Sequence, residues 1–463
     1  MMTKQPLHPI WLLVLTSLGF FMSMMDSMIV TTAATAIRTD FHISVTTLQW
    51  AFNAYNITIA AVLLVGVALG EWFGRRKGYL WGLTIFTVGS VFCALAPNID
   101  WLIGARVIAG VGASVMTPLS MAILTNALPV SQRGKALGIW GGIGGLALII
   151  GPSLGGLIVS RLAWPWIFWL NVPVGLLAVT LSLKYLPEST GTRVVLHPLD
   201  VVALVGGLAG IVWALAVLPT TSHQVGVLVV FVVSGGLSGW FLWRQRRTTQ
   251  PLVPLSLFAS RRFTGGNLAT FLLYAAMYGV VFFLPQFLQV VRGTDALHAG
   301  LEILPWTGTL VLVAPVAGKL VDRFGERPLA LWGLGLQGGG YLLLAFLAPS
   351  SAYGLLIPPL VLAGSGLSLA GPALQKVVLG AVERPALGQA AGIYNVCRLL
   401  GGAVGTAAAV LLFTRFGNPQ SATSFLTGFQ VTMVGMGALS LMGLGVAWPL
   451  VSQSVLDSES LQN

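Results

Sequence analysis

Apolar residues run for twenty or more positions at a time along this chain, parted by short stretches that hold most of its charge. A helix rises 1.5 Å per residue and a bilayer core is about 30 Å thick, so roughly 20 apolar residues make one crossing. On that measure the sequence predicts helical spans near 10–36, 46–70, 78–96, 101–125, 136–159, 164–186 and 198–218. Seven more follow near 224–243, 263–290, 299–320, 328–347, 353–377, 386–414 and 425–450. The expectation is an all-α integral membrane protein with fourteen transmembrane helices. Ala34 and Ala36 mimic a cleavage site at the end of the first run. That run is longer than a signal-peptide core and contains Asp26, so it reads as an uncleaved helix.

Composition agrees. The chain is 56% hydrophobic and 8% charged, whereas a soluble domain carries about 25% charged residues. There is too little charge to solvate a globule, so most of the exterior must face lipid. The 57 glycines show no Gly-X-Y period and suit close helix packing in a membrane. A net charge of +11 invites a nucleic-acid partner, but the positive residues sit in short loops where topology explains them. With the N-terminus inside, eighteen of the 24 Lys and Arg fall on the cytoplasmic side. Only Arg38, Arg161, Arg292 and Arg415 fall outside, and Arg106 and Arg398 lie within spans. That bias places both termini in the cytoplasm. Cys93 and Cys397, both in apolar runs, are expected to be inert thiols.

The chain also repeats itself. Leu69-Gly70-Glu71-Trp72-Phe73-Gly74-Arg75-Arg76 closes the second span, and Leu320-Val321-Asp322-Arg323-Phe324-Gly325-Glu326-Arg327 closes the tenth, 251 residues later. Ala109-Gly110-Val111-Gly112 in the fourth span is answered by Ala363-Gly364-Ser365-Gly366 in the twelfth. The pattern predicts a six-helix half over 1–190, two inserted helices over 191–250 and a second six-helix half over 251–463. Internal repeats of this kind mark transporters, with the substrate site near mid-membrane at the repeat interface.

Four local patterns are more specific. The junction Val67-Ala68-Leu69-Gly70-Glu71-Trp72-Phe73-Gly74-Arg75-Arg76 is similar to a family form Gly-x-Leu-Ala-Asp-Arg-x-Gly-Arg-Arg. Here Val, Glu and Trp replace the first Gly, the Asp and the first Arg, while the copy from Gly318 to Arg327 keeps Gly, Asp and Arg. The fourth span carries Arg106-Val107-Ile108-Ala109-Gly110-Val111-Gly112, and the fifth carries Gly151-Pro152-Ser153-Leu154-Gly155-Gly156 after Gly141, Gly142, Gly144 and Gly145. Met25-Asp26-Ser27-Met28-Ile29-Val30 and Arg398-Leu399-Leu400-Gly401-Gly402-Ala403-Val404-Gly405 complete the set. Together they resemble the major facilitator superfamily, in particular its fourteen-helix drug:proton antiporter branch. The resemblance implies an exporter of amphipathic drugs or metabolites working by alternating access in the plasma (inner) membrane of a bacterium. It makes Gly151, Pro152, Gly155 and Gly156 the antiporter motif. It makes Glu71, Gly74, Arg75, Arg76, Asp322 and Arg323 a conformational latch, for which a plain topogenic basic loop is the alternative.

Ionisable groups inside spans cost about 2.5–3.5 kcal/mol each on insertion scales, so each needs a reason. Asp26 sits some fifteen residues into an outward-running helix and Arg106 some five residues into an inward-running one. At 1.5 Å per residue the two reach a similar depth. Desolvation favours a neutral acid and a nearby arginine favours its carboxylate, so a changing Asp26–Arg106 distance would couple a proton to a conformation. A static pair is the structural alternative. Glu302, beside Pro305 and Trp306, is either a second proton site or an interfacial glutamate. Asn53, Tyr55, Asn56, Tyr274, Tyr278, Gln286 and Arg398 are the candidates for lining a substrate cavity, with helix–helix hydrogen bonding as their alternative.

Several classes are excluded. Neither Gly134-Lys135 nor Gly318-Lys319 has the context of a phosphate-binding loop, and no catalytic or metal-ligand constellation is spaced along the chain. The expectation is therefore a non-enzyme without cofactor or metal, a monomer whose partners are a small-molecule substrate, protons and membrane lipid, with no nucleic acid. A proton symporter importing a specific small solute is the competing reading.

Overall fold

The computed structural model describes residues 9–190, 197–217, 224–248, 251–348, 351–383 and 386–450. By contacts the chain forms two compact units, one of Met1–Ile43 with Trp50–Val201 and the other of Ser44–Gln49 with Val202–Asn463. The first contains α1 (Pro9–Asp40), most of α2 (Val45–Phe73), α3 (Arg75–Ala94), α4 (Ile99–Ala127), α5 (Val130–Arg161), α6 (Trp166–Trp169) and α7 (Asn171–Tyr185). After α8 (Pro198–Val217), which enters the second unit at Val202, come α9 (Gln224–Arg247), α10 (Arg261–Val290), α11 (Ala296–Glu302), α12 (Leu304–Leu312) and α13 (Ala314–Phe324). The series ends with α14 (Glu326–Ala345), α15 (Tyr353–Leu379), α16 (Leu387–Phe416) and α17 (Ala422–Leu450).

Ten helices among the described residues are long and apolar enough to cross a membrane. Helices occupy the remaining four expected stretches too, but they are shorter, interrupted or charged at one end. α3 opens on Arg75-Arg76-Lys77 and α14 on Glu326-Arg327. The expected span over 299–320 is broken at Ile303 and Val313, with Pro305 and Pro315 each opening the helix that follows. Proline has no N–H to give, so it suits a helix start and disfavours continuity with the preceding turn. The expected span over 164–186 is among the ten as Trp166–Tyr185, with α6 and α7 meeting at Leu170.

Each unit is held by backbones brought close at small residues. In the first unit a Cβ at Gly82 would meet the backbone of Met116, one at Gly89 that of Ala109, and one at Gly112 that of Phe86. α3 and α4 therefore pack at near-backbone contact, which is what small residues permit in a medium that supplies no hydrophobic drive. α14 and α15 of the second unit do the same: Gly333 faces Ala370, Gly340 faces Ala363 and Gly366 faces Gln337. Every residue of the first set stands 251 or 254 positions before its counterpart. α1 and α5 meet where Gly151 lies on Met25 and Met28 and Gly155 on Ile29 and Thr32. α10 and α16 meet where Gly401 lies on Phe271 and Gly405 on Ala275. The internal repeat thus extends from motif similarity to helix packing.

The junctions before α3 and α14 match as well. Gly74 and Gly325 are the residues preceding those helices, with φ of 106° and 81°. A side chain there is strained, so glycine is required to turn the chain directly from one helix into the next.

Candidate functional site

Asp26 stands in the middle of α1 and is fully buried. Its Oδ2 accepts from Nη1 of Arg106 on α4 at 2.5 Å, and the arginine is itself 1% exposed. Arg106 also donates from Nε to the Ala51 carbonyl at 3.0 Å and lies over the Tyr55 ring at 4.1 Å, with Phe168 at 5.8 Å. The Tyr55 hydroxyl is tied back to α1, 2.9 Å from the Ser23 hydroxyl. The other carboxylate oxygen, Oδ1, accepts from the Asn171 amide at 3.1 Å, and that amide also points at the Ser90 hydroxyl at 3.4 Å. Taken out of water, an ion pair survives only when its remaining hydrogen-bond capacity is met. Here a carbonyl, two rings and an amide meet it.

The structure thus brings Asp26 and Arg106 into direct contact, as their depths suggest, and adds Tyr55 to them. Asn53 and Asn56 occupy the same helix as Tyr55 and are buried, and neither polar atom of the Asn53 side chain has a hydrogen-bond partner. In the second unit the Arg398 guanidinium lies 5.6 Å from the Tyr274 ring. Tyr394, four residues before Arg398 on α16, donates to the Gly371 carbonyl at 3.2 Å. The Tyr278 ring covers Gly402. Gln286 is buried and donates to the Phe282 carbonyl of its own helix at 2.7 Å, leaving Oε1 without a partner. Glu302 ends α11, with Oε2 4.0 Å from Arg292 Nε; Arg292 donates to the Ser351 carbonyl at 2.8 Å, and Tyr353 donates to the Glu302 carbonyl at 3.2 Å.

The residues expected to form a latch sit at the junctions. Arg75 grips Glu71 in a two-point pair of 2.8 and 3.0 Å. The Arg76 amide donates to Glu188 Oε1 at 2.9 Å, its guanidinium donates to the Leu186 carbonyl at 3.3 Å, and the Arg75 amide donates to the Ser189 carbonyl at 2.8 Å. Glu188 therefore caps the positive end of α3, a favourable place for a carboxylate. At the second junction Glu326 pairs with Arg262, while Arg323 is exposed and lies over Phe324 at 5.2 Å. The Asp322 side chain lies outside the described residues. Gly151, Pro152, Gly155 and Gly156 are all buried, Gly151 against Met25, Met28 and Ile29 of α1 and Gly155 against Ile29 and Thr32. Among the described residues no group of three or more His, Cys, Asp or Glu is gathered to hold a metal.

The model of the major facilitator superfamily matches residues 16–406. The chain belongs to that superfamily. It is 34% identical over 414 residues to the multidrug resistance protein Stp of Mycobacterium tuberculosis, across 85% of this chain and 74% of that protein. It is 30% identical over 441 residues to the methylenomycin A resistance protein of Streptomyces coelicolor, across 94% and 91%. It is also 30% identical over 397 residues to the riboflavin transporter RibZ of Clostridioides difficile, across 85% and 86%. Among solved structures, a bacterial homologue of the human lysosomal transporter Spinster superposes with a TM-score of 0.71 over 98% of this chain and 99% of that one, at 17% identity. That likeness concerns the fold. As a member of this superfamily the chain is a multi-pass membrane transporter with bacterial relatives.

Sequence reasoning missed Asn171, Ser90 and Glu188. Asn171 is a polar residue in an apolar run, the signal that drew attention to Asn53 and Asn56, but only the division at Leu170 shows it opening a helix beside α1. Glu188 follows the last apolar residue of its run, where acids are common and carry no distinguishing mark.

Proposed function

We propose that this transporter is a proton-coupled exporter of amphipathic small organic molecules, an antiporter that exchanges substrate for protons by alternating access. The observation that carries the proposal is the fully buried Asp26–Arg106 pair, the only ion pair the structure describes with both side chains at or below 1% exposure. A carboxylate in this setting gains or loses a proton when its distance from the guanidinium changes. Asp26 takes the coupling proton and Arg106 sets how readily it does so. Protonation frees Arg106 to its Ala51 and Tyr55 contacts, and deprotonation restores the pair. The resistance proteins among the relatives support export.

The same reading assigns the two junctions to the latch and the polar residues of α2, α10 and α16 to substrate contact. It takes fourteen crossings, counting α3, α8, α14 and the broken run α11–α13 with the ten long apolar helices. It places both termini in the cytoplasm of a bacterium's inner membrane and the protein there as a monomer. The one-sided distribution of Lys and Arg supports that orientation. A second reading, import of one specific solute with protons, is favoured by the relative named as a riboflavin transporter.

Liposomes holding the purified protein and an internal pH dye test the first reading. Ethidium added across a proton gradient is expected to drive proton movement in wild type and none in Asp26→Asn. Proton movement surviving in Asp26→Asn sinks the role of Asp26 and turns attention to Glu302. Riboflavin-driven proton movement with the solute, in place of ethidium-driven movement against it, favours import.

A further inference from the structure

We propose that Asn171 is a positioning residue that holds the Asp26 carboxyl in both its protonation states by turning its amide over. The inference rests on the reading of Asp26 as the proton site. Asn171 is the first residue of α7, is fully buried, and spends its Nδ2 on Asp26 Oδ1 at 3.1 Å and on Ser90 Oγ at 3.4 Å. Its Oδ1 has no hydrogen-bond partner. A buried polar atom left unpaired in a native site calls for an explanation, and a switching site supplies one.

An ionised carboxylate only accepts hydrogen bonds, whereas a carboxylic acid must also donate one. The contact seen here, N–H to carboxylate, serves the first state. Half a turn of the amide exchanges its two ends, bringing Oδ1 to face Asp26 and Ser90. The new O–H of the acid then donates to Oδ1, and the proton taken from water is held on Asp26 by a group that bears no charge. Ser90 serves both arrangements, because a hydroxyl accepts from Nδ2 or donates to Oδ1 by rotating its own proton. Since nothing anchors Oδ1, the turn breaks no bond other than those it remakes.

The ionisable groups within electrostatic reach of this carboxylate are Arg106 of α4, Cys93 of α3 and, through Arg106, Tyr55 of α2. Among the described residues of α5, α6 and α7 it is the Asn171 amide that hydrogen-bonds Asp26. Arg106 can donate to either state but cannot accept the O–H of the neutral acid. The amide is thus the group placed to recognise the neutral one.

Infrared difference spectra of the full-length protein in liposomes, recorded as pH is varied, test this without any substrate. The carbonyl band of a protonated Asp26 is identified by its loss in Asp26→Asn. In Asn171→Leu that band is expected at higher wavenumber, because the acid has lost its acceptor, and in Asn171→Ser it is expected to return toward the wild-type position. In wild type grown with ¹³C-labelled asparagine, an asparagine amide band is expected to shift with the same pH midpoint as the Asp26 band, a readout that requires no variant to fold. An Asp26 band unmoved in Asn171→Leu, or no asparagine band tracking it, overturns the proposal. The absence of any Asp26-dependent band in wild type overturns the reading of Asp26 as the proton site itself.

Discussion

The two units share a scaffold and differ in charge. Gly82, Gly89 and Gly112 of the first have Gly333, Gly340 and Gly366 as counterparts in the second, and Gly151 and Gly155 have Gly401 and Gly405. Their packing partners on α1 and α10, Met25 with Phe271 and Ile29 with Ala275, differ by 246 positions, and α4 and α15 by 254; these offsets lead from Asp26 to Leu272 and from Arg106 to Leu360, both buried. The second unit packs the equivalent helices with leucine where the first spends an ion pair. A buried pair replaced by apolar residues of similar volume is often neutral or stabilising. On the proposed reading the pair is not what the packing needs, and its presence in one unit is where the proton step belongs.

The strongest way to break that comparison is to give the first unit the second unit's residues. Arg106→Leu alone strands the Asp26 carboxylate and is expected to lower stability by about 3–5 kcal/mol, read as an early unfolding transition in detergent. Asp26→Leu combined with Arg106→Leu is expected to recover most of that loss while gradient-driven transport stays absent. A double variant no more stable than Arg106→Leu would mean that the pair is structural.

Gly155→Leu and Gly405→Leu probe the shared scaffold. Each forces a side chain into an opposing backbone, α1 in one case and α10 in the other, and each is expected to cost about 1–3 kcal/mol. Thermal unfolding of the two should fall together. A harmless change at one position would show that the equivalence is only formal.

Gly74→Ala and Gly325→Ala separate backbone strain from contact. Both glycines have positive φ, so each alanine is expected to cost about 1–2 kcal/mol. Gly74→Ala should cost more, since its Cβ would meet the Glu188 carboxylate while Gly325 faces open space. Equal unfolding temperatures would remove Glu188 from the junction. The smallest effect is expected from Arg262→Gln, which opens a partly exposed pair with Glu326 and should change stability by no more than about 1 kcal/mol.

What could be read from the sequence was what depends on local pattern. Apolar run length places the helices, and a glycine between an apolar run and arginines places both junctions. Depth along two antiparallel spans brings Asp26 to Arg106. Other features depend on which helices meet. Asn171 reaches Asp26 from 145 positions away and Glu188 reaches Arg76 from 112, and no periodicity within one span encodes such a meeting. The breaks at Leu170, Ile303 and Val313 were hidden because the flanking residues stay apolar, so the run reads as continuous while Pro305 and Pro315 interrupt its hydrogen bonding.

Exchange of ethidium across liposomes separates the proton step from substrate movement most directly. Asp26→Asn is expected to exchange internal for external ethidium at equal pH on both sides, and to fail to move it uphill when a pH gradient is imposed. Uphill, gradient-dependent movement by Asp26→Asn would contradict the assignment of coupling to the charged pair of the first unit.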